Sequence, residues 1–215
     1  MLHCRFIVIS AVTALAFIVT GCQQPENSKH MPDTRSIAEE NLGVAIFAGG
    51  CFWCTESDFD KLPGVVATTS GYIGGTVANP TYKQVVAGKT GHVEAVKIQF
   101  DKTVTSFSEL LNTYWLTIDP TFEDGQFCDI GPQYRSVIFY LNPEQQTLAE
   151  ASKEALAVSA RFDQPVVTEI LPATEFYMAE DYHQDYYIKN PLRYAYYRNN
   201  CGRDERLEQL WGVSH

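Results

Sequence analysis

Residues 44–54, Val44-Ala45-Ile46-Phe47-Ala48-Gly49-Gly50-Cys51-Phe52-Trp53-Cys54, pass from an apolar run through two glycines into a pair of cysteines. Val44 to Phe47 has the character of a buried strand, Gly49-Gly50 ends it, and Cys51 opens a helix predicted to run to Asp58 or Phe59. The N-terminus of a helix offers unpaired N–H groups and the positive end of a dipole. Both favour a thiolate, so Cys51 is expected to be a stronger nucleophile than an ordinary cysteine. Cys54 follows at i+3, close enough for a disulfide after modest backbone adjustment. Phe52 and Trp53 set a flat apolar surface beside a reactive sulfur, which points to redox chemistry on a small apolar substrate. Zinc would need two more ligands, and Cys128 and Cys201 stand alone, without a histidine at ligand spacing. A purely structural disulfide would leave exposed aromatics beside it unexplained.

Towards the N-terminus, Arg5 precedes an apolar stretch from Phe6 to Val19, the length of a signal-peptide core and short for a membrane span. It closes with Val19-Thr20-Gly21-Cys22, similar to a bacterial lipobox, in which the cysteine becomes lipidated and, after cleavage, the new N-terminus. Residues 1–21 are therefore expected to be a lipoprotein signal peptide, and residues 22–43 the lipidated Cys22 followed by a polar tether. An ordinary secretory signal with an incidental cysteine is the alternative. About twenty flexible residues span roughly 25 Å, enough to hold a domain off a membrane surface. The expected location is extracytoplasmic and membrane-attached, on the periplasmic side or the cell surface.

Residues 44–215 suit one domain with a substantial core. The chain carries a formal charge of −10, and loss of Arg5 with the leader takes it to −11. That balance argues against nucleic acid as a partner and against electrostatic adhesion to anionic lipid. Six cysteines, of which Cys4 leaves with the leader, are too few and too irregularly spaced for a disulfide-stapled scaffold. Reactive thiols outside the cytoplasm need a dedicated supply of electrons.

Strand and helix patterns alternate along the domain. Strands are predicted at Val65–Ile73, His92–Phe100, Tyr134–Leu141 and Val166–Leu171, and helices near Tyr82–Ala87, Ser106–Ile118 and Pro143–Ser159. The pattern suggests an α+β domain, a two-layer sandwich or roll with a mixed β-sheet and a long irregular C-terminal segment. Within the third strand, period-two alternation puts Glu94 on the face of Val96, Ile98 and Phe100. A carboxyl group on an apolar inward face loses hydration and tends to stay protonated, so it can donate a proton. The other reading is that Glu94, near a strand end, reaches solvent. Residues 129–136 lie at a loop-to-strand junction and residues 180–184 in an aromatic region; taken singly, each reads as loop packing or surface.

Taken together, Gly50-Cys51-Phe52-Trp53, Gly71-Tyr72, Thr81-Tyr82, Gly91-His92-Val93-Glu94, Asp129 to Ser136 and Ala179 to Gln184 resemble peptide methionine sulfoxide reductase A, from about Ala45 to Asn200. The resemblance implies an α+β roll, reduction of the S epimer of methionine sulfoxide, and no metal or tightly bound cofactor. It casts Cys51 as the nucleophile on the sulfoxide sulfur and Glu94 as the proton donor to the leaving oxygen. Tyr82 and Tyr134 would hold that oxygen, supported by Asp129, while Phe52 and Trp53 cage the methyl group. Cys51 would end as a sulfenic acid, to be condensed with a second thiol. Free methionine sulfoxide or oxidised proteins are the implied substrates, a thioredoxin-like protein the external thiol reductant, and a monomer the expected state. Many members of the family have glycine where this chain has Cys54, and resolve through C-terminal cysteines. Here Cys54 is expected to resolve first, by proximity, and Cys201 to relay the disulfide outward. Cys128 is read as a small buried hydrophobe without a role. Two rival readings remain: a thioredoxin-like disulfide oxidoreductase using Cys51 and Cys54, and a lipid-anchored binding module with structural cysteines.

Overall fold

The computed structural model describes residues 37–212. The expected signal peptide, the lipidation site Cys22 and the tether up to residue 36 lie outside the described residues. A six-stranded mixed sheet, ordered β7-β6-β1-β3-β2-β8, forms the frame. Its strands are β1 (Leu42–Gly49), β2 (Val65–Ile73), β3 (Val93–Asp101), β6 (Ser136–Tyr140), β7 (Glu169–Pro172) and β8 (Tyr177–Met178). Every pairing is antiparallel except β6 with β7. A separate hairpin joins β4 (Gly125–Gln126) to β5 (Asp129–Ile130).

Alternation along the strands builds two apolar layers. Ala45, Phe47, Val96, Ile98 and Phe100 face the helices α1 (Phe52–Phe59) and α3 (Phe107–Leu116), with Leu110, Leu111 and Tyr114 packed among them. Ile46, Ala48, Val93, Ala95, Val137 and Phe139 form the other layer, against which Leu171, Ala173 and Phe176 pack. Local chemistry starts α3 and α4 where they begin. Ser106 and Glu109 exchange the reciprocal bonds of a capping box ahead of α3. Asn142 caps α4 (Pro143–Val158), with Pro143 preset at its first position.

Several features differ from the sequence pattern, among them β6, which starts at Ser136 and leaves Tyr134 in a 3-10 turn ahead of it. β1 starts at Leu42, two residues before the apolar run, and β7 starts at Glu169 rather than Val166. The C-terminal segment holds α5 (Tyr186–Lys189), α6 (Pro191–Asn200) and α7 (Arg203–Trp211) where mostly irregular chain was expected. α6 carries little apolar periodicity because most of it is exposed and its half-buried face is made of tyrosines and arginine, while α7 buries Arg203 and Leu207.

The strand-to-helix turn that sets the site is sterically demanding. Gly50 has φ +85°, and a Cβ on it would lie 2.6 Å from Cβ of Gln126. Gln126 is itself immobilised: its amide accepts from the Asp119 N–H and donates to the Asp119 carbonyl, both at 2.8 Å. Tyr114 hydroxyl donates to the Ala48 carbonyl at 2.8 Å, fixing α3 against the same turn. Gly50→Ala is expected to lose about 1–3 kcal/mol from the left-handed backbone alone, with a lower urea midpoint, and to lose more activity than its stability accounts for. An unchanged midpoint would remove this account of Gly50.

Candidate active site

Cys51 stands at the N-cap of α1, as its position after Gly49-Gly50 predicts, and Cys54 one turn on; both are free thiols and buried. Glu94 projects from β3 on the face of Val96, Ile98 and Phe100, is 2% exposed, and accepts a hydrogen bond from the Phe52 N–H at 3.0 Å. The solvent-reaching alternative for Glu94 is thereby excluded. Burial pushes its pKa to about 8, against the opposing pull of the Phe52 N–H, so the carboxyl group is neutral at pH 7.

The expected thiolate at Cys51 is not what burial permits. Loss of hydration, a hydrogen bond with Cys54 and the nearby Glu94 and Asp129 together hold Cys51 well above an ordinary thiol. The helix terminus adds a favourable field, but burial outweighs it. Cys54 moves the other way. Its hydrogen bond with Cys51 and the guanidinium groups of Arg203 and Arg198 lower its pKa. Cys51 is therefore held as a thiol beside the more acidic Cys54.

Tyr82 begins α2 (Tyr82–Val86), with its N–H held by Glu180 Oε1 at 2.9 Å, while Glu180 Oε2 accepts from Tyr72 at 2.8 Å. Tyr134 ends a short 3-10 turn, Pro132–Tyr134, and its phenol lies near that of Tyr82. Both phenols sense Glu94 and Cys51 electrostatically, and burial raises both pKa values, so they are neutral hydrogen-bond donors. Asp129 lies on β5 and also acts on Cys51, Glu94 and Tyr134. Burial raises its pKa, opposed by a 2.5 Å bond from the Tyr197 hydroxyl and by the charge of Arg203.

The apolar wall is built as expected from Phe52 and Trp53. Phe52 is 1% exposed, 4.8 Å from the His183 ring and stacked at 6.5 Å on Tyr82. Trp53 donates from Nε1 to His183 Nδ1 at 3.0 Å, and Tyr186 stacks on it at 3.7 Å. Accepting at Nδ1 leaves the proton of the neutral imidazole on Nε2, and burial keeps the ring neutral by lowering its pKa to about 4. Cys51, Glu94, Tyr82, Tyr134, Asp129 and Phe52 thus lie near one another, with Trp53 next to Phe52 on α1.

Two cysteines depart from their expected states. Cys201, the C-cap of α6, is disulfide-bonded to Cys128 across 73 residues, so neither thiol is free. Cys128 is exposed rather than a buried hydrophobe, because the β4–β5 hairpin carries it to the surface. Together with Asp129 these sulfurs make the metal-compatible cluster found among the described residues, but both sulfurs are spent in the disulfide. Sequence reasoning also missed Tyr186, Tyr197 and Arg203. The spacing Tyr194, Tyr197, Arg198 marks one face of a helix and could have flagged Tyr197; Arg203 left no such signal.

A buried thiol beside a second cysteine, a neutral buried carboxyl group, two phenol donors and an aromatic wall define a thiol-based oxidoreductase site. Comparison with known proteins names the family. The peptide methionine sulfoxide reductase profile matches residues 43–215. The peptide methionine sulfoxide reductase MsrA of Halalkalibacterium halodurans is 54% identical over 174 residues, which is 81% of this chain and 99% of that protein. That of Ligilactobacillus salivarius is 55% identical over 168 residues, 78% and 97% of the two chains. Among solved structures, methionine sulfoxide reductase A of Corynebacterium diphtheriae superposes with a TM-score of 0.64 at 37% identity, over 72% of this chain and 78% of that one. The chain belongs to the peptide methionine sulfoxide reductase family and is an oxidoreductase.

Glu94→Gln separates chemistry from folding. Its turnover is expected to fall by about 10²–10⁴, the usual contribution of a positioned acid. In the wild type the rate should decline as pH rises through about 8, where Glu94 loses its proton. Stability should move oppositely. Between the ordinary value near 4.5 and about 8, the unfolded carboxyl ionises while the folded one does not, so the wild type loses stability as pH rises. Glu94→Gln lacks that loss, and denaturant midpoints at pH 5 and pH 9 check it. Equal pH dependence in both proteins would contradict a neutral Glu94.

Proposed function

We propose that this chain reduces the S epimer of methionine sulfoxide, free or within oxidised proteins, to methionine. The observation that carries the reading is the Cys51 sulfur set beside a carboxyl group that burial keeps neutral, in a chain of this family. Cys51 Sγ bonds to the sulfoxide sulfur while the Glu94 proton and the proton given up by the Cys51 thiol both pass to the sulfoxide oxygen. Tyr82 and Tyr134 donate hydrogen bonds to that oxygen, which is where charge develops. The sulfur–oxygen bond breaks with the oxygen leaving as water. A water molecule then attacks Cys51 Sγ, and the bond between the two sulfurs breaks so that methionine departs with the electron pair. The released proton returns to Glu94, and Cys51 is left as a sulfenic acid. Thiol plus sulfoxide has become sulfenic acid plus sulfide, with no external oxidant or reductant.

Cys54, adjacent and the more acidic thiol, attacks the sulfenic sulfur, releasing water and forming Cys51–Cys54. Cys201, when reduced, attacks Cys51, and Cys54 leaves with the electron pair because the lower-pKa thiol is the better leaving group. Cys128 then attacks Cys201 and frees Cys51, so two electrons pass from the outer pair to the inner one. The pairing of free Cys51 and Cys54 with an oxidised Cys128–Cys201 is the state such a transfer leaves behind. An external dithiol protein of the thioredoxin type reduces the outer disulfide, and no bound cofactor is needed. The test uses both sulfoxide epimers with wild type, Cys51→Ser and Cys201→Ser. Loss of the S epimer alone, abolished in Cys51→Ser, supports the assignment. Without reductant, prereduced wild type should yield two methionines per chain and Cys201→Ser one. Reduction of insulin disulfides with neither epimer consumed would reinstate the thioredoxin-like reading.

The N-terminal sequence supports a lipoprotein signal over residues 1–21, lipidation at Cys22, a tether up to residue 43, a catalytic domain over 44–215 acting as a monomer, and an extracytoplasmic, membrane-attached location. Expressed in a bacterium, wild type should partition into the detergent phase on cloud-point extraction, and Cys22→Ala into the aqueous phase. Aqueous partition of both would withdraw the anchor.

A further inference from the structure

Two redox pairs must meet for electrons to pass between them, and one side chain touches the surroundings of both. Arg203 lies two residues after Cys201, at the start of α7, and is 1% exposed. Its Nη1 donates to the Gly49 carbonyl at 3.2 Å, in the turn that presents Cys51, and its Nη2 to the Thr117 carbonyl at 2.7 Å. The guanidinium lies over the Phe127 ring at 4.6 Å, next in sequence to Cys128. Phe127 has φ +57°, a left-handed conformation uncommon for a bulky residue, and the stacked guanidinium covers it.

An acidic residue of α1 completes the arrangement. Asp58, one turn beyond Cys54, pairs with Arg198 Nη1 at 2.8 Å and with Arg203 Nη2 at 3.7 Å. Arg198 is held in turn by Asp204, at 2.7 Å, and by the Tyr194 hydroxyl. The two arginines flank Cys201 in sequence, so the turn bearing the outer cysteine is bracketed onto the helix bearing the inner pair. Removing one partner of such a buried pair is costly, which makes it a means of fixing geometry rather than a surface accident.

We propose that Arg203 is the positioning residue of thiol–disulfide exchange, joining the Cys51 turn, the Cys128 hairpin and the Cys201 turn so that the outer pair can attack the inner one. It touches no substrate and no reacting sulfur, and acts through the backbone at Gly49 and the ring of Phe127. Its charge, with that of Arg198, also favours Cys54 as the departing thiolate. The inference rests on the relay described above, in which Cys201 receives the bond to Cys51 and Cys128 closes the outer disulfide.

The test follows prereduced full chain mixed with excess methionine-S-sulfoxide and no added thiol. Quenched samples are alkylated, mapped for Cys51–Cys54 and Cys128–Cys201, and counted for methionine. Arg203→Met, Arg203→Lys and Phe127→Leu are compared with wild type. The first methionine should form within about three-fold of the wild-type rate in Phe127→Leu and Arg203→Lys. Transfer to the outer pair should slow at least about ten-fold in Arg203→Met and measurably in Phe127→Leu, since misplacement by about 1 Å can cost a factor near 10². Arg203→Lys should restore part of the rate. The pH midpoint for alkylation of Cys54 should move up in Arg203→Met and stay near wild type in Phe127→Leu, a distinction that a merely structural arginine would not make. If Arg203→Met does not fold, Phe127→Leu and Arg203→Lys carry the test. Transfer within two-fold of wild type in every folded variant overturns the proposal, as does an equal slowing of both steps. If wild type itself stops at one methionine and forms no Cys128–Cys201, the relay fails first, and the role of Arg203 falls with it.

Discussion

The hydrogen bond from the Phe52 N–H to Glu94 Oε2 ties the first turn of α1 to the middle of the sheet, and the site is arranged around it. It places an ionisable carboxyl group in the apolar layer shared by Val96, Ile98 and Phe100. Burial then outweighs the helix field at both groups, keeping the proton on Glu94 and on Cys51. A site built this way is poised to protonate an oxygen and attack a sulfur in one event, with no net uptake of protons.

That arrangement needs a tight turn and a dry surrounding. Gly50 lets the chain pass beneath Gln126, and Gln126 is locked onto the Asp119 backbone. Aromatic rings close the other side, where Phe52, Tyr82 and His183 pack together and Trp53 lies under Tyr186. The substrate is small and apolar apart from one oxygen, so a wall of rings with two phenol donors matches it better than a charged cleft would. The cost is that an enclosed sulfur is poorly placed to meet a protein reductant. The Cys128–Cys201 disulfide lies nearer the surface, with Cys128 exposed and Cys201 half-buried, which is what the proposed relay of the disulfide outward requires.

Residues close in sequence were legible because local rules govern them. The turn at Gly49-Gly50, the N-cap position of Cys51 and the inward face of β3 at Glu94 follow from apolar periodicity and from glycine in a turn. The mixed α+β architecture was legible for the same reason. Of the C-terminal helices, α6 was not, because tyrosine and arginine make its half-buried face and no apolar stripe announces it, and α7 offers only Leu207 and Trp211 beside the buried Arg203. β8, only two residues long, is held by pairing with β2 at Gly71 and Tyr72 rather than by its own sequence.

By itself the sequence determined the chemistry available: a cysteine pair after a glycine turn, a carboxyl group on an apolar strand face, phenols and aromatic rings in ordered motifs. The tertiary structure decided the protonation state of Cys51, the pairing of Cys128 with Cys201 and the placement of Arg203. Periodicity reports which side of an element is buried, but not how far a sulfur lies from water or which distant residue meets it. Those depend on contacts such as that across the 73 residues between Cys128 and Cys201, which exist only once the chain has packed.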